Sequence, residues 1–343
     1  MSDTVKSEEG ASGFDSELSR IDEMLDQEKY YEAFDAVGGL SGLAESQLEL
    51  VKSFMIKAMY FDLIGSRRLE LALYDDAYSR FSDSKNEDIL WHLAWMMFNR
   101  GVIETEADEN EQAIKSYELA IAVANKAGDD AKTAALNSLY NLASARIKAG
   151  DREQGMDTYR KIAHAYSPSD DLDALEQVAR ARASLANGYM ASEQYGDADA
   201  IYNDLFAMSE EALALMPRVL RERSRVMHAS AKLELNPTGS GLRPLKAIFE
   251  ELKSSHSSDL REVAAFALFN KARFEMKLDL FAEARDDYAL LLEEFGGEGG
   301  RTVNLIDGAR AGLKEAKLML DVERQDRKSA VGKSPTKSSE ASI

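Results

Sequence analysis

The sequence predicts an all-α protein, an α-solenoid of antiparallel helix pairs closed by a C-terminal capping helix, and three observations carry that expectation. Only five prolines occur in 343 residues while 45% of the side chains are apolar. Ala, Leu, Glu, Lys and Met are abundant, a composition that suits long helices and starves sheets of β-branched residues. Apolar residues recur with helical period between short breaks of Gly, Asp, Asn or Pro. Finally, a small residue, a large one four positions on and an apolar one three further return along the chain, the large residues being separated by 37, 43, 42, 43, 47 and 39 residues. Self-similarity at such a period marks stacked units, each too small to bury its own apolar face.

Taken in order, residues 1–14 (MSDTVKSEEGASG and the next residue) are small, polar and acidic and are expected to be a disordered tail. The solenoid is expected over 15–322. Its second helices carry Ala33, Val37 and Leu40; Glu70, Tyr74 and Ala77; then Ala113, Tyr117 and Ala120 in KSYELAIAV. Gly155, Tyr159 and Ile162 follow in MDTYRKIAHAY, and Ala198, Tyr202 and Leu205 in ADAIYNDLF. Leu245, Phe249 and Leu252, then Ala284, Tyr288 and Leu291 in ARDDYALLL, complete the series. First helices carry their own small residues where backbones must approach: Ala58, Ala94, Ala143, Ala186, Ala231 and Ala272. Gly65, Gly101 and Gly150 each follow such an alanine by seven residues, where a helix needs a residue tolerant of positive φ in order to stop. GGEGG at 296–300 reads as a connector, and NLIDGARAGLKEAKLMLDVERQDRK as a cap helix that turns charged at its end. Residues 323–343, rich in Ser, Lys and Gly, are expected to form a second disordered tail.

These small and aromatic anchors resemble those of the tetratricopeptide repeat across roughly 15–322. The chain departs from the usual pattern in its period near 42 instead of 34, in seven extra residues (VIETEAD) after Gly101, and in Arg146 and Glu275 standing where an aromatic is usual. Lengthened repeats account for the period.

Chemistry is sparse. No cysteine is present, so neither disulfides nor thiolate ligands are available, and His92, His164, His228 and His256 are far apart in sequence with no HExxH. Gly332, Lys333 and Ser334 spell the end of a phosphate loop, but Arg327 stands where its first glycine belongs and no strand precedes it. The acidic pairs Asp129–Asp130, Asp170–Asp171 and Asp286–Asp287 read as solvated charge. No cofactor, no metal and no enzymatic activity are expected. Net charge is −19, so a nucleic-acid backbone is repelled by the average field. Apolar runs fall far short of the roughly 18 to 20 residues a membrane helix needs, and no signal peptide is apparent, so the expected location is cytoplasmic.

The resemblance implies a scaffold or adaptor that binds a peptide or protein in a concave groove lined by the first helices. Carried onto ILWHLAWMMFNRG, it packs Leu90, Leu93, Ala94 and Met97 against the second helix and leaves Trp91, Trp95 and Phe98 as one ridge. A helix buried on all sides is the competing reading. The same phase turns Asn137, Tyr140 and Ser144, then Arg180 and Asn187, then Phe269, Arg273 and Lys277 inward; with Ala231 as the packing residue, Arg225, His228 and Lys232 join them. Cations along such a groove suit a peptide bearing carboxylates. A regulatory protein that closes on a peptide or effector, and a structural protein that self-associates through its repeats, remain as alternatives.

Overall fold

The computed structural model describes residues 13–164, 172–297 and 302–331. They form helices with no strand among the described residues. The helices alternate as first and second members of pairs: α1 (Gly13–Asp26) with α2 (Tyr30–Gly39), α3 (Gln47–Leu63) with α4 (Arg67–Phe81), and α5 (Glu87–Glu106) with α6 (Asn110–Ala127). α7 (Lys132–Lys148) pairs with α8 (Arg152–His164), and α9 (Leu172–Ala191) with α10 (Tyr195–Phe206). A short α11 (Glu210–Leu215) precedes α12 (Arg218–Leu235) and α13 (Arg243–Leu252); α14 (Ser258–Lys277) pairs with α15 (Phe281–Phe295), and α16 (Val303–Val331) closes the series. The chain divides into two compact units, Met1–Ala181 and Arg182–Ile343, with the boundary inside α9.

Every residue of the seven second-helix triplets is buried, from Ala33 to Leu291. So are the first-helix alanines Ala58, Ala94, Ala143, Ala186, Ala231 and Ala272. The turn between the helices of a pair explains the regularity. Glu28, Gly65, Asp108, Gly150, Glu193 and Asp279 all have positive φ, between 56° and 95°, and each precedes the first residue of the next triplet by five positions. In each case the following N–H reaches back to a carbonyl five residues earlier, as in Ser66 N–H to Phe61 at 2.7 Å and Asp151 N–H to Arg146 at 2.8 Å. That bond is the six-to-one closure of a Schellman turn, which satisfies an orphan carbonyl and fixes the angle of the next helix. The pair α12/α13 departs from it: Pro237 has no N–H to donate, and a 3₁₀ turn over Gly239–Leu242 replaces the left-handed residue.

Two details of the expected register change. Gly101 does not end its helix: α5 runs on through the additional residues to Glu106, and Asp108 takes the left-handed position. Seven residues are two helical turns, so the insertion lengthens α5 without rotating its faces. Gly101, not Ala94, is then the small residue of this pair; a Cβ there would lie 2.6 Å from the Tyr117 ring. At the amino end α1 begins at Gly13 with Phe14 buried, and at the other end α16 continues past Glu323 to Val331. Residues 1–12 and 332–343 lie outside the described residues, as do 298–300 of the glycine-rich connector, Asp170–Asp171 and the Gly332–Ser334 stretch. The capping helix uses two glycines, since a Cβ on Gly308 would meet Phe269 at 2.8 Å and one on Gly312 would meet Tyr288 at 2.4 Å.

The charged residues that replace the usual aromatic are structural clamps. Arg146 donates to Thr158 at 3.3 Å and to Glu118 at 2.9 Å. Glu104 accepts from Ser116 at 2.6 Å and from Arg100 Nε at 3.0 Å, and Arg100 also pairs with Asp75. Glu275 is held by Lys271, which pairs as well with Asp287 of α15, so Asp287 is a clamp member rather than a solvated charge. Each clamp ties a first helix to a second through charge-assisted hydrogen bonds, with Oε2 of Glu275 left without a partner among the described residues.

Two outcomes follow from this packing. Gly101→Ala should cost about 1–3 kcal/mol by forcing the buried Tyr117 ring aside, whereas Gly196→Ala, whose Cβ meets nothing within 4 Å in α10, should be neutral or stabilising; thermal melts of the two variants check the contrast. The Glu275 carboxyl is pushed up to about 7, chiefly by burial, with Lys271 opposing and Asp287 adding to the rise. Its pKa in the fold lies above the ordinary 4.5, so the ionised group opposes folding above that folded value, and the cost is relieved as pH falls toward 4.5. Urea melts at pH 8 and pH 5 should show Glu275→Gln gaining on the wild type at the higher pH, with the gap closing at the lower.

Candidate functional site

In the first unit, the first helix α5 carries the aromatic ridge. Trp91, Trp95 and Phe98 are each half-buried. Trp91 meets Trp95 edge-on at 6.2 Å, Trp95 meets Phe98 at 5.5 Å, and Phe98 leans on Tyr117 at 6.1 Å. Their inner edges rest on the core shared by α3 to α7, whose buried members include Leu90, Leu93, Ala94 and Met97. The Trp95 indole Nε1 is buried with no hydrogen-bond partner among the described residues. On α7, Asn137, Tyr140 and Ser144 are half-buried; Asn137 donates to the Thr133 carbonyl at 3.1 Å, and the Arg180 guanidinium lies 4.6 Å over the Tyr140 ring.

The same unit holds a cavity of about 220 Å³ between α3 and α5, closed by α4. Met55, Met59 and Asp62 come from α3, Met96, Asn99, Val102 and Glu106 from α5, and Glu70 and Tyr74 from α4. The Tyr74 hydroxyl donates to Glu70 at 2.8 Å. Burial pushes the Glu70 carboxyl up; the Tyr74 hydrogen bond opposes this, Asp62 and Glu106 reinforce it, and Arg67 opposes it.

In the second unit, α9, α12 and α14 border a cavity of about 300 Å³ whose wall includes Asn187, Met190, Met227, Ser230, Phe266, Phe269 and Arg273. Asn187, Phe269 and Arg273 are thus brought together. Arg225, His228 and Lys232 are not: they line a separate hollow of about 340 Å³ with Phe206, Pro244 and Ile248, facing α10 and α13. The expectation that they share a face with Arg273 came from using Ala231 as the phase marker. In the structure Met227, Ser230 and Glu234 of α12 take that face, because the Schellman turn that sets the phase elsewhere is missing after α12.

Each cation singled out in the sequence has a partner within the chain. Arg225 pairs with Glu222 and with Glu251 at 3.1 Å, and His228 Nε2 lies 3.0 Å from Asp199, which Lys232 approaches at 4.0 Å. Arg273 and Lys277 share Glu234 at 3.2 and 2.6 Å, and Arg180 reaches Glu176 at 3.5 Å. Burial, then Lys232, lowers the His228 pKa against the pull of Asp199, which favours the neutral ring. Its imidazole stacks on Phe206 at 5.5 Å.

Sequence phase alone missed Val102, Met55, Met59, Met190, Met227 and Glu234. The signal that finds them is the left-handed turn residue: counting back from Asp108 instead of forward from Ala94 puts Val102 on the face of Phe98. Among the described residues no group of three His, Cys, Asp or Glu side chains is placed to hold a metal ion, and no helix is long and apolar enough to cross a membrane.

The fold defined by these pairs is that of tetratricopeptide-type repeat proteins. The chain is similar to the apo form of RapI, with 14% identity over 92% of this chain and 90% of that one and a TM-score of 0.59. It is also similar to the C-terminal part of a tetratricopeptide repeat-containing protein from Cytophaga hutchinsonii, with 14% identity over 84% of this chain and 98% of that one and a TM-score of 0.51. No protein-family model and no curated protein matches the sequence.

Iodide quenching of the free protein should reach both tryptophans to an intermediate degree, since each is half-buried. Complete protection would show that neighbouring helices cover the ridge.

Proposed function

We propose that the chain is a protein-interaction scaffold that holds a peptide segment of a partner protein along the faces of its first helices, without catalysis. The observation that carries this reading is the ridge of Trp91, Trp95 and Phe98, whose half-buried rings meet one another edge-on along one face of α5. Clustered aromatics offer large rigid area at small entropic cost, which is why they dominate binding energy at interfaces. Affinity would come from covering these rings, and orientation from the polar groups beside them, Asn137 and Ser144 on α7. The similarity in fold to repeat proteins of the tetratricopeptide type is consistent with this use.

Selection of a random displayed-peptide library on the full chain tests the reading. The wild type should enrich a related set of peptides, and Trp91→Ala with Trp95→Ala should weaken their binding roughly a hundredfold, the effect of removing a hot spot. Since each ring is only partly buried, each substitution should cost less stability than the roughly 3 to 5 kcal/mol typical of a fully buried tryptophan. Unchanged affinity in a folded double variant would overturn the assignment of the ridge.

A further inference from the structure

Of the four buried glutamates among the described residues, three are held by a cation. Glu104 has Arg100, Glu222 has Arg221 and Arg225, and Glu275 has Lys271. Glu70, 5% exposed, has no ion pair among the described residues; only the Tyr74 hydroxyl reaches it. Packing does not ask for it either. The equivalent positions in the other pairs are Ala33, Ala113, Gly155, Ala198, Leu245 and Ala284, all apolar. A buried carboxylate with no packing role and no ion pair, only the more distant pull of Arg67, is costly to ionise, and a charge that arrives from outside would offset that cost.

The surroundings specify that charge. Asp62 and Glu106 border the same cavity, and Asp62 also lacks an ion pair among the described residues. Arg67 is engaged by Glu106 at 3.0 Å and by the Ile103 carbonyl at 2.9 Å, leaving three carboxylates against one guanidinium. α3 ends at Leu63 and α5 at Glu106, so the negative ends of two helix dipoles add to the field. Apart from Asn99 and Tyr74, the rest of the cavity is apolar and adaptable, with Met55, Met59 and Met96 on its walls. At about 220 Å³ it is smaller than the roughly 300 to 1,000 Å³ usual for small-molecule sites.

We propose that this cavity receives a lysine or arginine side chain of the bound segment, its aliphatic stem lying along Met55, Met59 and Met96 and its cationic head between Asp62 and Glu70. The assignment rests on the scaffold reading, of which it specifies the partner's chemistry: a basic segment. The raised pKa of Glu70 agrees with it, because an incoming cation offsets the cost of ionising that carboxyl.

Peptides selected on the wild-type chain should then carry Lys or Arg at one fixed position. A synthetic peptide with norleucine in its place keeps the aliphatic stem and loses the charge, and should bind roughly tenfold or more weakly. In Asp62→Asn with Glu70→Gln the two peptides should bind alike, and Asp62→Asn alone, at an exposed site, should narrow the difference with the fold intact. Enriched peptides without a fixed basic residue, or a norleucine penalty that persists in the double variant, would overturn the cavity assignment and leave the scaffold reading standing. Failure to enrich any peptide would overturn both.

Discussion

The left-handed residue that ends a first helix sets the geometry on which the repeats depend. Its offset from the first residue of the second-helix triplet is constant at five positions in six pairs, and only two of the six residues are glycine. A non-glycine residue in that conformation costs roughly 1 to 2 kcal/mol. Glu28, Asp108, Glu193 and Asp279 accept that cost because the Schellman closure and the burial of the following triplet over-determine the turn. The close approach of Gly155, whose Cβ would lie 2.7 Å from the Ala143 carbonyl, is a consequence of the angle so imposed.

This explains what the sequence makes legible and what it hides. The triplets could be read because burial imposes residue types on them: small where backbones touch, aromatic where the next helix must be met. The turns could be read only at Gly65 and Gly150, where glycine announces positive φ; a left-handed Asp or Glu looks like any surface residue. Gly101 was misleading for the complementary reason. A glycine is also required where a ring leans on a helix backbone, as Tyr117 does, and sequence does not distinguish that need from a turn. The aromatic ridge survived the error because a seven-residue insertion preserves helical phase, whereas α12, with no left-handed turn to count from, lost it.

Electrostatics separates the two units' candidate faces in a way that net charge alone does not. In the second unit, Glu234 occupies the face that the sequence assigned to free cations and takes up both Arg273 and Lys277. Such half-exposed pairs contribute little to stability, but they neutralise the basic stripe that would have attracted a carboxylate. Arg225 and His228 are likewise matched, by Glu251 and Asp199. A carboxylate-bearing ligand would have to displace these contacts before gaining its own.

Polar substitution within an apolar repeat therefore has two different meanings in this chain. Arg146 and Glu275 break the aromatic pattern, and they and the buried Glu104 are answered within the fold by Thr158 and Glu118, by Lys271, and by Arg100 respectively. These partners offset part of the desolvation cost, a part that for Glu275 leaves the carboxyl pushed up by burial, and the gain is a directional tie between two helices. Glu70 breaks the small-residue pattern and, among the described residues, accepts a hydrogen bond only from a neutral hydroxyl, with Arg67 acting from farther off. The Tyr74 hydroxyl can satisfy one lone pair of the carboxylate but cannot balance its charge, and Asp62 and Glu106 raise the cost of that charge further. A residue that is expensive to keep ionised, that no neighbour requires, and that borders a cavity walled by methionine is best explained by a group the folded chain does not itself supply.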